Sequence, residues 1–382
     1  MKDRLTILFY CHHSIGIGHL VRSMALITAI QDVFRVVFIS GGRFPQGFDL
    51  SKNIVFIQIP PLERGEGRNL VTTESEKTIK EVIKARVNAM LEAVDEFQPD
   101  FFITELFPFG RVQLCGELIP VLRRLRSGKK PVKILSSLRD IVEPGLHRNL
   151  MERNLAISLA GQFFDGVLIH ADPQLIRLEA SFPTASKLKP DLHYTGFVTR
   201  AQPVKWQCEN PTVLVSAGGG KKGLQLCETA IKAFLKFGFG EGIRLRVIAG
   251  PNFSNDHWLK LHRTIRGRKD IELTRSVRNL SMEFRGVALS VSQGGYNTTM
   301  ELLQCGVPAL IIPFTDPGNT EQILRAKILS ERELVRYIDM EGLSPDSFAT
   351  EVRKTIHFRP AIHHLDMQGA ENTLRILQKL SP

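Results

Sequence analysis

The sequence predicts an α/β protein of two tandem domains, each a parallel sheet flanked by helices. Three observations predict it. The chain has 382 residues, enough for two cores at roughly 100–200 residues per domain. Strand-length apolar runs alternate with helical patterns, the order that gives parallel sheets with crossover helices. The alternation pauses at a polar, proline-bearing stretch, Thr199–Pro211, and then begins again. The expected domains are therefore 1–200 and 201–362, with a C-terminal segment 363–382.

In the first domain, Leu5–Tyr10 is a buried strand that runs into His12, His13 and a glycine turn, followed by a helix over Leu20–Ile30. Val36–Ser40 is a strand closed by Gly41-Gly42, and Ile54–Ile59 is one ended by Pro60-Pro61. Residues 62–74 are polar and glycine-containing and read as a loop. From Thr78 to Phe97, apolar residues at Ile79, Val82, Ile83, Met90, Val94 and Phe97 follow a helical period. Phe101–Thr104, Val132–Ser136 and Gly166–His170 are further strands. The second domain repeats the rhythm: strand Thr212–Ser216, helix Gly223–Phe237, strand Leu245–Ala249, strand Val287–Ser292, helix Asn297–Cys305 and strand Val307–Pro313. Gly306 stands where a helix C-cap is expected. Two such sheets place a ligand in the cleft outside the carboxyl ends of their strands.

Composition narrows the class. At 43% hydrophobic and 23% charged residues, the chain reads as globular and not disordered. Its apolar runs fall short of the about 18 uncharged residues a membrane helix needs. The opening MKDRLTILFYCHH lacks a small-residue cleavage site, so a strand and a cytoplasmic location are expected. The five scattered cysteines are odd in number, which fits free thiols and argues against structural zinc. No metal and no cofactor is expected. The net charge of +11 suits phosphate-rich ligands, nucleic acid or anionic lipid. Basic residues are dense at Arg123, Arg124, Arg126, Lys129, Lys130 and Lys133. They read as a solvated helix end, or as a patch toward an anionic membrane or acceptor. Aromatic residues are not interleaved with the basic ones, so nucleic acid is not an expected partner.

Three turns carry the candidate chemistry. In Gly16-Ile17-Gly18-His19, between strand and helix, glycine lets the backbone approach a ligand. His19 sits at a helix N-terminus, where the dipole disfavours imidazolium, so a neutral imidazole could accept a proton from a hydroxyl or from water. Arg22 lies one turn further along. Equally, His19 could simply cap its helix, and Arg22 could be a surface arginine. In Ser216-Ala217-Gly218-Gly219-Gly220, successive backbone N–H groups before a helix suit an anion, with Lys221 and Lys222 adding charge. The third turn is the richest. Gly294-Gly295 leave a strand, Tyr296, Asn297 and Thr298 open a helix, and Glu301 lies on the same face as Asn297. A carboxylate there can accept two hydrogen bonds from a ribose diol. Beyond the next strand come Asp316, Thr320, Glu321 and Gln322, an acid–amide set suited to sugar hydroxyls.

Gly294-Gly295, Asn297-Thr298, Glu301-Leu302, Gly306-x-Pro308-Ala309, Pro313 and Glu321-Gln322 with Arg325-Ala326 resemble the donor-binding region of the family 28, MurG-like glycosyltransferases. The Gly18-His19 turn resembles that family's acceptor-side loop. Thr104–Arg111, Ser137–Asp140, His170–Pro173 and Leu365–Leu377 are similar to a bacterial branch of predicted glycosyltransferases of undefined substrate. The resemblance implies a GT-B architecture, two Rossmann-like domains with parallel sheets facing across a central cleft, and a C-terminal helix packed back on the first domain. It implies an inverting, metal-independent transfer from a nucleotide diphosphate sugar, UDP-linked by the family's default, to a small-molecule or lipid-linked hydroxyl acceptor. Contact with the inner membrane surface is in keeping with it. By carry-over, Glu301 holds the ribose, Gly218–Gly220 and Gly294–Asn297 the diphosphate, and Glu321 and Gln322 the sugar. His19 is the expected base, with Glu105 and Asp140 as rivals. Gly18-His19-x-x-Arg22 also resembles nucleotide-sugar hydrolases of the pseudaminic acid pathway, which share the scaffold and whose histidine activates water.

Overall fold

The structure, a computed structural model, describes residues 4–13, 17–45, 50–65, 69–72, 77–142, 149–200, 206–208, 210–220, 222–314 and 320–381. Gly16, Lys221 and Asp316 lie outside the described residues. The chain divides into two compact units, 1–198 with 365–382, and 199–364.

In the first unit the described strands are β1 (Thr6–Cys11), β2 (Arg35–Ser40), β3 (Ile54–Gln58), β4 (Leu62–Arg64), β5 (Leu70–Thr72), β6 (Phe101–Glu105), β7 (Lys133–Arg139), β8 (Gly166–His170) and β9 (Asp191–Tyr194). Seven of them form one parallel sheet in the order β3-β2-β1-β6-β7-β8-β9. β1, β6 and β8 are buried along their whole length, as expected of strands covered on both faces. One face packs on α1 (Gly18–Ile30) and the C-terminal helix α11 (Gly369–Leu380), through Leu20, Met24, Ile27, Ala370 and Leu377. The other packs on α2 (Ile79–Phe97), α3 (Cys115–Ser127) and α4 (Leu150–Phe163), through Met90, Val94, Leu118, Leu122 and Leu159. Helix α2 starts at a capping box: Thr78 Oγ1 accepts from the Glu81 N–H, and Glu81 accepts from the Thr78 N–H.

One sequence expectation changes. Residues 62–64 and 70–72, read as loop, pair as a short antiparallel hairpin; three-residue strands leave no readable period. The basic stretch after Val121 closes α3, and three of its six basic residues are ion-paired. Arg124 pairs with Asp95, Arg126 with Asp165, and Lys130 with Asp100. These pairs fit a solvated helix end; Arg123, Lys129 and Lys133 of the same stretch are exposed.

The second unit holds β10 (Asn210–Ser216), α5 (Leu224–Phe237), β11 (Arg244–Ile248), α6 (Asn255–Thr264), β12 (Ile271–Thr274), α7 (Leu280–Glu283), β13 (Val287–Ser292), α8 (Tyr296–Cys305), β14 (Ala309–Ile311), α9 (Glu321–Glu331), β15 (Arg336–Tyr337) and α10 (Pro345–Thr355). Its sheet is parallel in the order β12-β11-β10-β13-β14-β15. Helices α5, α6 and α10 cover one face through Leu226, Phe234, Leu261, Phe348 and Val352. Gly306 ends α8 in the left-handed conformation, φ 65°. In both units the strand order reverses at the first strand, between β1 and β6 and between β10 and β13. Ligands of open parallel sheets bind outside the carboxyl ends of the strands at such a reversal.

Candidate active site

The first unit collects its functional side chains at the carboxyl ends of β1, β6, β7 and β8. His19 and Arg22 are three residues apart and share one face of α1. Both reach Glu105, the last residue of β6. His19 Nδ1 lies 2.9 Å from Glu105 Oε1, and the Arg22 guanidinium donates to the same oxygen. Ser137, on β7, donates to Glu105 Oε2 at 2.9 Å, and its oxygen lies 2.9 Å from His170 Nε2 on β8. His170 Nδ1 lies 2.9 Å from Thr195 Oγ1. A carboxylate only accepts, so His19 Nδ1 carries the proton and Nε2 presents a lone pair.

Burial sets the protonation states. Desolvation pushes the His19 pKa down to about 4, against the pull of Glu105, and the charges of Arg111 and Arg139 lower it further. Desolvation likewise takes His170 down to about 3. Burial alone would raise Glu105, but the Arg22 charge and the His19 hydrogen bond outweigh it and hold the carboxyl at about 2. The result is a neutral histidine backed by a permanently ionised carboxylate. The His19 side chain is 13% exposed and that of Glu105 is closed off.

This arrangement separates the rival bases. Glu105, shut in and bonded through both oxygens, stands behind His19 and orients it. Asp140 is buried, and its Oδ1 accepts from the Ile141 N–H at 2.9 Å. Leu106, next to Glu105, holds a left-handed φ of 66°, costly for a non-glycine residue and kept where surrounding packing enforces it. Gly18 is exposed at the start of α1. Sequence reasoning gave no role to Ser137 and His170, which complete the chain of hydrogen bonds. Their sequence signals are the motifs Ser137–Asp140 and His170–Pro173, and their positions are on β7 beside Glu105 and at the end of β8.

The second unit uses the same geometry. Ser216 and Ser292, in register at the ends of β10 and β13, have buried hydroxyls without a hydrogen-bond partner. Gly218-Gly219-Gly220 follows Ser216, and Gly294-Gly295 follows Ser292. The three glycines of the first turn differ. Gly220 (φ 86°) donates its N–H to Ala217 O at 3.0 Å, and an added Cβ would meet Ala249 O at 2.7 Å. Its role is therefore close packing. Gly218 (φ 57°) is exposed, with nothing nearer than 3.9 Å to a Cβ. It and Gly219 have open space beside them.

Helix α8 starts at Gly295, with Asn297 and Thr298 half-buried in its first turn. Glu301, one turn on, is buried, and none of the described residues makes a hydrogen bond or ion pair with its carboxylate. Burial raises its pKa to about 7, tempered by the Arg200 charge. Glu321 departs from its expected place. It is buried at the start of α9 in an ion pair with Arg325, 2.6 Å, and Arg325 also donates to Gly294 O at 2.8 Å. Its carboxylate thus braces the glycine turn from within. Gln322 accepts from the Phe314 N–H at 2.9 Å through Oε1, which orients its amide N–H groups away from that backbone.

Residues 229–378 match the glycosyltransferase family 28 C-terminal domain. The chain thus carries a family 28 C-terminal domain. A curated relative is the UDP-N-acetylglucosamine–N-acetylmuramyl-(pentapeptide) pyrophosphoryl-undecaprenol N-acetylglucosamine transferase of Rickettsia prowazekii, 24% identical over 143 residues. The alignment covers 37% of this chain and 37% of that protein. Among solved structures, MurG of Acinetobacter baumannii superposes with a TM-score of 0.59 at 14% identity, over 98% of this chain and 99% of its own. A putative UDP-N-acetylglucosamine 2-epimerase from Listeria monocytogenes gives 0.61 at 14% identity, over 99% and 96%. At these identities the superpositions establish the GT-B fold, which family 28 shares with other chemistries.

Proposed function

We propose that this protein is a family 28 glycosyltransferase that transfers a sugar from a nucleotide diphosphate donor, UDP-linked, to a hydroxyl acceptor, with inversion and without a metal ion. The observation that carries the reading is the pair His19–Glu105 at the strand-order reversal of the first unit. His19 Nε2 takes the acceptor's hydroxyl proton while that oxygen bonds to the anomeric carbon. The bond from that carbon to the diphosphate breaks, and its electron pair leaves with the nucleoside diphosphate. Glu105 holds the imidazole in the reactive tautomer and balances the imidazolium that forms. A positioned general base of this kind contributes about 10²–10⁴-fold.

The second unit supports the donor half. The unpartnered Glu301 suits the ribose diol. The first turn of α8 at Asn297 and Thr298, with the Gly218-Gly219 turn, offers backbone N–H groups and a helix N-terminus to the diphosphate. Such preorganised donors do the work a divalent cation does elsewhere, about 3–4 kcal/mol for a well-placed one. The amide of Gln322 suits a sugar hydroxyl. Among the described residues no helix is long and apolar enough to cross a membrane. A lipid-linked acceptor would therefore be met at the membrane surface.

The test is to incubate the protein with UDP-, dTDP- and GDP-sugars, with and without hydroxyl acceptors, and to read product configuration by NMR. An acceptor-dependent product of inverted configuration is expected. Free nucleotide released at the same rate without acceptor would overturn the transferase reading.

A further inference from the structure

Among the described residues four arginines are buried: Arg22, Arg86, Arg111 and Arg325. Three are anchored. Arg22 bonds Glu105. Arg86 pairs with Glu117 at 2.5 Å and donates to Gly41 O and Pro60 O. Arg325 pairs with Glu321 and donates to Gly294 O. Arg111 is the exception. It is 8% exposed, its Nε is buried without a hydrogen-bond partner, and its guanidinium makes no ion pair with any described residue. A buried charge left without a partner is costly.

Its surroundings do not supply the missing anion. Arg111 ends the turn that leaves β6 at Leu106. Tyr10 of β1 is in register with Thr104 of β6, so this turn lies beside the β1 extension that carries His12 and His13. Burial and the Arg111 charge lower the pKa of both histidines, and that charge also lowers His19. His12 Nδ1 faces Gly41 O at 3.1 Å, and His13 Nε2 faces Arg43 O at 3.0 Å. The other ring nitrogen of each is buried and unpartnered. Of the buried carboxylates at this end of the sheet, Glu105 is already held by Arg22 and His19, and Asp140 accepts from the Ile141 N–H. The groups that feel the Arg111 charge, Cys11, His12, His13 and His19, are thus neutral.

We propose that Arg111 binds a carboxylate or phosphate group on the acceptor, so that the first unit selects an anionic acceptor whose reacting hydroxyl lies near that group. This rests on the reading of the first unit as the acceptor side. The anion completes the hydrogen bonding of a guanidinium built to take two parallel bonds. It also cancels a positive charge felt by His19 and so makes His19 a stronger base once the correct acceptor is in place.

The test follows imidazole nitrogens in ¹H–¹⁵N spectra, assigned with His12→Gln, His13→Gln and His19→Gln. Inorganic phosphate and acetate are titrated separately, against potassium chloride at matched ionic strength, into the full chain and Arg111→Gln. Saturable shifts of the three histidines are expected, with binding at least tenfold weaker in Arg111→Gln. A response to phosphate alone assigns a phosphate group, and one to acetate alone a carboxylate. No saturable response in the wild-type chain, or an equal response in Arg111→Gln, overturns the proposal. UDP is titrated in parallel. If UDP binds and the anions do nothing, this inference fails and the donor reading stands. If UDP does not bind, the donor reading fails, and the histidine response still decides Arg111.

Discussion

His19 and Glu105 are joined by a 2.9 Å hydrogen bond from the start of α1 to the end of β6, with the carboxylate buried and the imidazole still reachable. The bond fixes which ring nitrogen is free to accept a proton. His19→Ala is expected to lower turnover by about 10²–10⁴-fold while nucleotide affinity changes less than twofold, read by steady-state kinetics and calorimetry. Turnover within a few-fold of wild type would exclude His19 as the base.

Glu105→Ala removes the carboxylate from both His19 and Arg22. Removing one member of the buried Arg22–Glu105 pair is expected to cost about 3–5 kcal/mol in unfolding free energy. Denaturant unfolding measures it. The same carboxylate removed from an exposed pair such as Arg124–Asp95 should cost at most about 1 kcal/mol.

The acid limb of kcat/KM for the free enzyme should lie at about 4, where His19 titrates, instead of near the ordinary histidine value of about 6.5. Stability should fall over a related window. His19 and His170 have folded pKa values of about 4 and about 3, below their unfolded ones. Between those values and about 6.5 the unfolded chain binds more protons, so stability falls as pH falls. Glu105, depressed to about 2, adds a loss in the same direction below its unfolded pKa. Melting temperatures from pH 8 to 4 in the Glu301→Gln background, where the opposing carboxyl is gone, check the sign; a flat profile there would contradict it.

Glu301 carries the opposite linkage. Its folded pKa of about 7 exceeds the unfolded value, so the folded chain binds the extra proton and stability falls as pH rises from about 4.5 to 7. Glu301→Gln should therefore leave stability at pH 8 unchanged or raised. The same variant should weaken UDP binding roughly tenfold or more, since hydrogen bonds to a charged group are each worth about 1.5–3 kcal/mol. Thermal melts with and without UDP read both effects together, and undiminished UDP affinity would remove Glu301 from the ribose site.

Gly220 and Gly218 should separate packing from binding. Gly220→Ala places a methyl against Ala249 O at a left-handed φ and is expected to destabilise by about 1–3 kcal/mol. Gly218→Ala, in open space, should cost about 1 kcal/mol and act chiefly on nucleotide affinity.

The sequence by itself determined the two-domain α/β class, the strands that become β1, β6, β10 and β13, and the turns that carry His19, Gly218 and Glu301. Those features are local: apolar runs of strand length, glycines between strand and helix, a cap at Gly306. The half-exposed edge strands β9, β12 and β15 escaped because exposure on one side erases the apolar run. Tertiary structure alone decided the roles. It placed Glu105 behind His19, turned Glu321 inward onto Arg325, paired Arg124, Arg126 and Lys130 with Asp95, Asp165 and Asp100, and left Arg111 without an ion-pair partner among the described residues. The physical reason is that pairing and burial are relations between residues distant in the chain. His19 meets Glu105 across 86 positions, and no local period or propensity records which side chain a folded sheet will bring opposite another.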